Sequence, residues 1–299
     1  MLRWLRRILI AVTVLVALTV GGLYAALRDN PARAAVGERR VAASDETRIH
    51  YFVSGPVSGP AVALLPSFAR SASDFNELVK ALNQAGYRTL AMQPRGVDGS
   101  ELPSLQTSLH TYAADLAAVI EAAGIHDGTV VIGHAYGNRV ARTFASDFPG
   151  RTRALILLAA GGSEPPPPEA AQALGLALVR VLPETRRREA VNRAFFAEGN
   201  AAPESWIRGW YPLAGVAEQN ASASTPYAEW GAGGGRPILI LQPAEDALAP
   251  GGAQRLRDRF PDRVDLVEIP GSGHAILPEQ PARVQREILR YLASLEHPA

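Results

Sequence analysis

Cysteine is absent from the 299 residues. Its absence excludes disulfides and thiolate chemistry, and it suits an exported chain without requiring export. Lysine is nearly absent as well. Lys80 stands alone, so the other 29 of the 30 basic residues are arginine. Together with the abundant alanine, this reads as codon bias in a GC-rich genome rather than as nucleic-acid binding. The formal net charge of +1 conceals an asymmetry. Residues 1–34 carry five arginines and one aspartate, whereas the remainder carries 25 basic against 28 acidic residues. No basic patch is left for a phosphate backbone, so nucleic acid is not an expected partner. Metal-ligand spacing, a phosphate loop and a dinucleotide Gly-x-Gly-x-x-Gly are also lacking, so no metal or other cofactor is implied.

What is present fits a single large α/β domain with an insertion. The chain is 47% hydrophobic and 20% charged, which is globular rather than disordered. Arg3, Arg6 and Arg7 precede an uncharged, largely apolar run from Ile8 to Leu27. As a helix, that run is long enough to cross a ~30 Å hydrocarbon core. Ala32-Arg33-Ala34 follows, in the small-x-small form of a cleavage site. Residues 1–34 therefore read as a membrane anchor or a signal peptide, and the length of the run favours the anchor. The arginines stay in the cytoplasm in either case. The folded domain is then expected outside it, in the periplasm if the host is bacterial.

From Val36 onward the pattern predicts strands over 40–43 and 47–53, a buried strand over 61–65, a helix over 74–84 and a strand over 88–92. A helix over 111–123, a strand over 129–132, a helix running to Phe148 and a strand over 154–158 follow. The alternation then breaks. Residues 163–235 open on Pro165–Pro168 and contain amphipathic pieces with Trp206, Trp210 and Trp230. They read as a helical cap inserted into the sheet domain, with the tryptophans and Phe195-Phe196 as its core. Alternation resumes with a strand over 238–241, a helix over 252–259, a strand over 264–269 and a last helix over 281–295. Residues 36–162 and 236–299 thus form the core, an α/β fold with a mainly parallel sheet covered on both faces.

One stretch carries chemistry. Val130-Val131-Ile132-Gly133 ends a β-branched run, and Gly133-His134-Ala135-Tyr136-Gly137 leads into a helix. Strand, tight glycine turn and helix are the setting of a nucleophile elbow, Gly-x-Ser-x-Gly. The central residue here is Ala135, which brings a methyl group where the serine oxygen belongs.

With these motifs in hand, residues 40–295 resemble the α/β-hydrolase superfamily. The turn at Gln93-Pro94-Arg95-Gly96-Val97-Asp98-Gly99-Ser100, the elbow at 133–137, the acid loop at Pro243–Pro250 and the histidine loop Gly271-Ser272-Gly273-His274 occur in that family's order. The resemblance implies that His274 is the general base and that Asp246 orients it, with Glu245 as a neighbouring competitor. It places the oxyanion-hole donors at the N–H groups of Phe68 and Tyr136. Pro66-Ser67 stands where the family has His-Gly. His134 reads as packing behind the strand, Asp98 and Arg95 as stabilising their turn, and Arg139 as a contact at the helix start. Ser67 is the one hydroxyl that the sequence places near the site.

Ala135 leaves four readings open. It can be an engineered Ser→Ala knockout of an ester hydrolase. It can belong to a hydrolase or lyase whose His274–Asp246 pair moves a proton without a covalent serine intermediate. The chain can be a catalytically silent pseudoenzyme holding a ligand beneath its cap. Or a hydroxyl elsewhere can replace the serine. Where a triad acts as a unit, losing the serine costs ~10⁶-fold. Retention of His274 and Asp246 favours chemistry, and the apolar cap favours a small, largely apolar substrate.

Overall fold

The computed structural model describes residue 4 and residues 12–22, 33–102 and 106–296. Of the N-terminal apolar run, residues 12–22 are helical and exposed. The rest of that run and Ala32 of the cleavage-like motif lie outside the described residues. Among the described residues no helix is long and apolar enough to cross a membrane.

Eight strands form one sheet in the order β1-β2-β4-β3-β5-β6-β7-β8. β1 (Glu38–Ser44) and β2 (Thr47–Ser54) form an antiparallel hairpin. Asp45 and Glu46 turn that hairpin at positive φ. β2 is also antiparallel to β4 (Arg88–Met92), and β3 (Ala61–Leu65) lies parallel between β4 and β5 (Thr129–His134). β6 (Thr152–Leu158), β7 (Ile238–Pro243) and β8 (Val264–Ile269) extend the parallel run. All six residues of β5 are buried, as expected of a strand covered on both faces.

Helices cover the two faces. α1 (Asn76–Gln84) lies on one face, with Leu78, Val79 and Leu82 packed against Val62, Leu64, Val130 and Ile132. On the other face are α2 (Leu109–Ala122) and α3 (Tyr136–Asp147), packed against Ala63, Leu65 and Val131. Alternate residues of β3 and β5 thus feed opposite cores, as the two-residue period of a strand requires. α2 begins two residues earlier than its apolar pattern suggests. Ser108 caps it by accepting the Thr111 N–H at 3.3 Å, and Thr111 returns the bond to the Ser108 N–H.

Between β6 and β7 the chain leaves the sheet through α4 (Pro168–Leu178), α5 (Glu184–Phe195), α6 (Glu204–Ile207), α7 (Pro212–Ser224) and α8 (Tyr227–Trp230). Trp206, Trp210, Phe195 and Phe196 pack with Ala170, Ala173 and Val191 into a separate core that also touches Ala69, Leu248 and Ala275 of the sheet-side loops. α9 (Gly252–Arg259) returns to the α2–α3 face. After the short α10 (Ile276–Glu279), α11 (Pro281–Glu296) closes the other face through Val284, Ile288 and Leu292.

The sheet order reverses between β3 and β5. In open parallel sheets the crevice beyond the carboxyl ends at such a reversal is where ligands bind. The loops after β3, β5, β7 and β8 all converge there.

Candidate active site

The elbow follows from steric necessity. A Cβ on Gly133 would lie 2.4 Å from the Gly137 carbonyl oxygen, and one on Gly137 would lie 2.2 Å from the Leu65 carbonyl oxygen. No side chain fits at either position, so the turn between β5 and α3 must carry both glycines. Ala135, between them, has φ 50° and ψ −106°. For a residue with a Cβ this is a strained conformation, which costs about 1–3 kcal/mol. Surrounding bonds hold it there. The Ala135 N–H donates to the Leu158 carbonyl at 3.0 Å. The Asn138 amide donates to the Leu158 and Ala159 carbonyls at 3.0 and 3.2 Å.

The loops after β7 and β8 bring Asp246 to His274. The His274 Nδ1–H donates to Asp246 Oδ1 at 2.8 Å. The same oxygen accepts the N–H groups of Leu248 and Ala249 at 3.0 and 2.9 Å, and Oδ2 accepts the Gln242 amide at 3.0 Å. Burial alone would push this carboxyl up. The imidazole and the two backbone donors outweigh burial and hold it below the usual carboxylate range. With Nδ1 occupied, Nε2 is the nitrogen left for chemistry. Glu245 accepts the Glu198 N–H at 3.2 Å instead, and it is Asp246 that bonds the imidazole.

His134 is wholly buried, and its Nε2–H donates to the His274 carbonyl at 2.8 Å. Its ring lies 5.8 Å from the His274 ring and 6.3 Å from Trp206. Burial lowers its pKa to about 4, with the neighbouring His274 charge a smaller cause. It is therefore neutral and supports the backbone of His274.

After β3, residues 67–70 form a turn closed by the Arg70 N–H on the Ser67 carbonyl at 3.1 Å. Ala69 sits at φ 53°. The cap holds this turn. Glu218 of α7 accepts the Ala69 N–H at 2.7 Å, and the Ala69 carbonyl accepts the Tyr211 N–H at 3.0 Å. Among the described residues nothing accepts the N–H of Phe68 or of Tyr136. Glu218 is wholly buried, and burial pushes its carboxyl up to about 8, so it is neutral at pH 7. The apolar pattern of α7 carries a signal for it. Glu218 falls in line with buried Ala214, Ala217 and Ala221, but its role at Ala69 was not read from the sequence.

The cap is fastened by Arg70. Its guanidinium makes a bidentate pair with Asp74 at 2.8 and 2.6 Å and donates to the Arg208 and Ser205 carbonyls. It lies 4.4 Å from the ring centre of Trp206 and 4.7 Å from that of Trp210. Arg95 does more than stabilise its own turn. It pairs bidentately with buried Asp115 of α2, both bonds at 2.7 Å.

A cavity of about 660 Å³ opens over the elbow, with Ala135, Tyr136, Phe68 and His274 in its wall. Leu174, Phe195, Leu248 and Pro165–Pro168 supply apolar lining. Ser67 lines it too, but Ser163 and Ser222 do so as well, so Ser67 is not the only hydroxyl at hand. The Ser67 hydroxyl is buried and has no hydrogen-bond partner among the described residues, so no bond to His274 activates it. Arg139 also lines this cavity rather than serving only the helix start. A wider depression of about 740 Å³ borders Gly59–Val62, Arg88 and Gly124–Gly128. It lies at the amino ends of the strands, opposite the His274–Asp246 pair.

The family model for the alpha/beta hydrolase fold matches residues 60–206. That match and the eight-stranded, mainly parallel sheet give the chain the α/β-hydrolase fold. Over 157 residues it is 36% identical to a non-heme chloroperoxidase of Streptomyces lividans, a match covering 52% of this chain and 56% of that one. The chain thus spans little more than half the length of that relative. Among solved structures, a membrane phospholipase A described as a bacterial virulence factor superposes with a TM-score of 0.71 at 18% identity, covering 98% of this chain and 99% of that one. A thermophilic esterase from Thermogutta terrifontis gives 0.70 at 22% identity, covering 87% and 99%. At these identities the two structures share the fold with this chain.

Proposed function

We propose that this α/β-hydrolase-fold protein is a hydrolase or lyase acting on a small, largely apolar substrate through His274 and Asp246, without a covalent serine intermediate. The observation that carries the proposal is the bonded His274–Asp246 pair in the wall of a cavity whose elbow residue, Ala135, has no oxygen. Asp246 keeps the proton on Nδ1 and offsets the charge that forms when Nε2 takes another. Nε2 then serves as the base. In a hydrolysis it takes a proton from the attacking water and returns it to the group that leaves as the carbonyl re-forms. In an elimination it takes the proton from a substrate carbon, and the leaving group on the neighbouring carbon departs with its bonding electrons as the double bond forms. The N–H groups of Phe68 and Tyr136 receive the developing oxyanion, and Glu218 keeps the Phe68 turn in place from the cap. The name of the chloroperoxidase relative supports chemistry at this cavity. The three arginines before the apolar run support an anchored or exported chain with this domain outside the cytoplasm.

The test compares the protein with His274→Ala across a panel of small esters and carbon acids, with ligand affinity measured separately by calorimetry. Turnover should fall at least ~10²-fold in the variant while affinity holds. Turnover that survives the substitution would overturn the proposal. Binding without turnover in the parent would also overturn it, in favour of a silent ligand-binding protein.

A further inference from the structure

Arg139 lies in the first turn of α3, four residues after Ala135 at its N-cap. Its side chain lines the cavity that holds Ala135, Tyr136 and His274. Among the described residues no carboxylate, carbonyl or hydroxyl pairs with its guanidinium. The nearest compensation is the face of Trp230, 5.6 Å from the guanidinium carbon. Burial lowers its pKa from the ordinary value, and the Tyr136 hydroxyl opposes this only weakly. A desolvated, unpaired cation is costly, and the other buried arginines show how the fold ordinarily meets that cost. Arg70 and Arg95 each hold a bidentate carboxylate. Arg142 donates to the Gly231 and Gly161 carbonyls and to the Tyr227 hydroxyl. Among the described residues, only at Arg139 does the missing partner face an open cavity.

The charges in the cavity wall set the size of that partner. Arg255 lines the cavity, but it is already paired with Glu164, which lines it too. One uncompensated positive charge remains. We infer that the ligand of this site is a small carboxylate, an apolar body carrying one singly charged head that Arg139 receives as a bidentate pair. Leu174, Phe195 and the proline run 165–168 take the apolar body. The inference rests on the reading of this cavity as the ligand site and narrows its substrate class. A dianionic phosphate fits less well, since the wall offers a single free charge.

The test is made on affinity, so it is independent of turnover and of the His274 reading. Phenylacetate and its uncharged isostere phenylacetamide are titrated into the full chain by calorimetry, with methyl phosphate as a third probe. The expected result is a preference of at least 10-fold for phenylacetate over phenylacetamide, with methyl phosphate weaker than phenylacetate. In Arg139→Gln that preference should vanish, phenylacetate falling to the level of phenylacetamide while phenylacetamide is unchanged. Arg139→Lys keeps the charge without the fork and should retain part of the preference, which preserves the test if the glutamine variant does not fold. Equal affinities in the parent, no binding of either probe, a preference for methyl phosphate, or a preference that survives Arg139→Gln would each overturn the inference.

Discussion

The two walls of the cavity are held in place by different physics. On the sheet side, backbone is packed directly on backbone. Gly133 and Gly137 exist because a Cβ would strike a carbonyl, and strand register fixes where Ala135, Asp246 and His274 emerge. On the cap side, single side chains reach across a gap. Arg70 fastens the cap between two tryptophans, and Glu218 holds Ala69. The first kind of constraint is local and tolerates almost no change. The second is a set of tertiary contacts that can be removed one at a time, each with its own signature.

The comparison is sharpest between two glycines. Gly137→Ala should prevent folding or cost more than about 4 kcal/mol, in the exceptional range for one substitution. Gly175 sits inside α4 of the cap with nothing within 4 Å of a built Cβ. Gly175→Ala should therefore stabilise by roughly 0.5–1 kcal/mol through helix propensity. Urea denaturation of both variants checks this, and a mild cost at Gly137 would break the contrast.

Next in size is the cap fastening. Arg70→Met leaves Asp74 buried without its cation and should cost about 3 kcal/mol or more. Adding Asp74→Leu should recover most of that loss, because the pair is replaced rather than broken. Thermal melts of the single and double variants decide it. If the double variant is no better than the single, the cation–aromatic sandwich outweighs the ion pair in holding the cap.

A further expected effect is one of pH, spread over the window between the unfolded and folded pKa values of Glu218. The folded protein keeps Glu218 protonated up to about 8, whereas the unfolded chain releases that proton near the ordinary value of 4.5. The folded state thus binds more protons across that window. Stability from this group therefore falls as pH rises from about 4.5 to about 8, and is level above it. Glu218→Gln keeps an acceptor for the Ala69 N–H and cannot ionise. Its stability curve should be flatter over that window and lie above the parent's at pH 8.5. Parallel curves would place the charge elsewhere.

These differences also explain what the sequence made legible. The β-branched run of β5 and the glycine spacing of the elbow are local patterns, and both appear in the fold where they were expected. The helix expected over 74–84 is divided instead, into a 3₁₀ turn at Ala72–Phe75 and α1 from Asn76. Asp74 falls in that turn, committed to Arg70, a contact that no periodicity records. The alignment of Glu218 with buried alanines marks it as buried, but nothing in the sequence says that it will face the Ala69 N–H. Arg139 was read as a contact at the helix start, since only the arrival of the cap turns that face of α3 into a cavity wall.

The central claim is that this site lacks one oxygen and otherwise keeps its geometry. Serine fits at position 135, since the strained backbone already accommodates a Cβ and the cavity is open to an added hydroxyl. Ala135→Ser should be labelled at residue 135 by a fluorophosphonate probe, read by peptide mass spectrometry, and the label should vanish in Ala135→Ser/His274→Ala. The parent should remain unlabelled there. A folded Ala135→Ser protein that stays unlabelled would contradict the claim, because the base, its carboxylate or the Phe68 and Tyr136 donors would then not be aimed at that position.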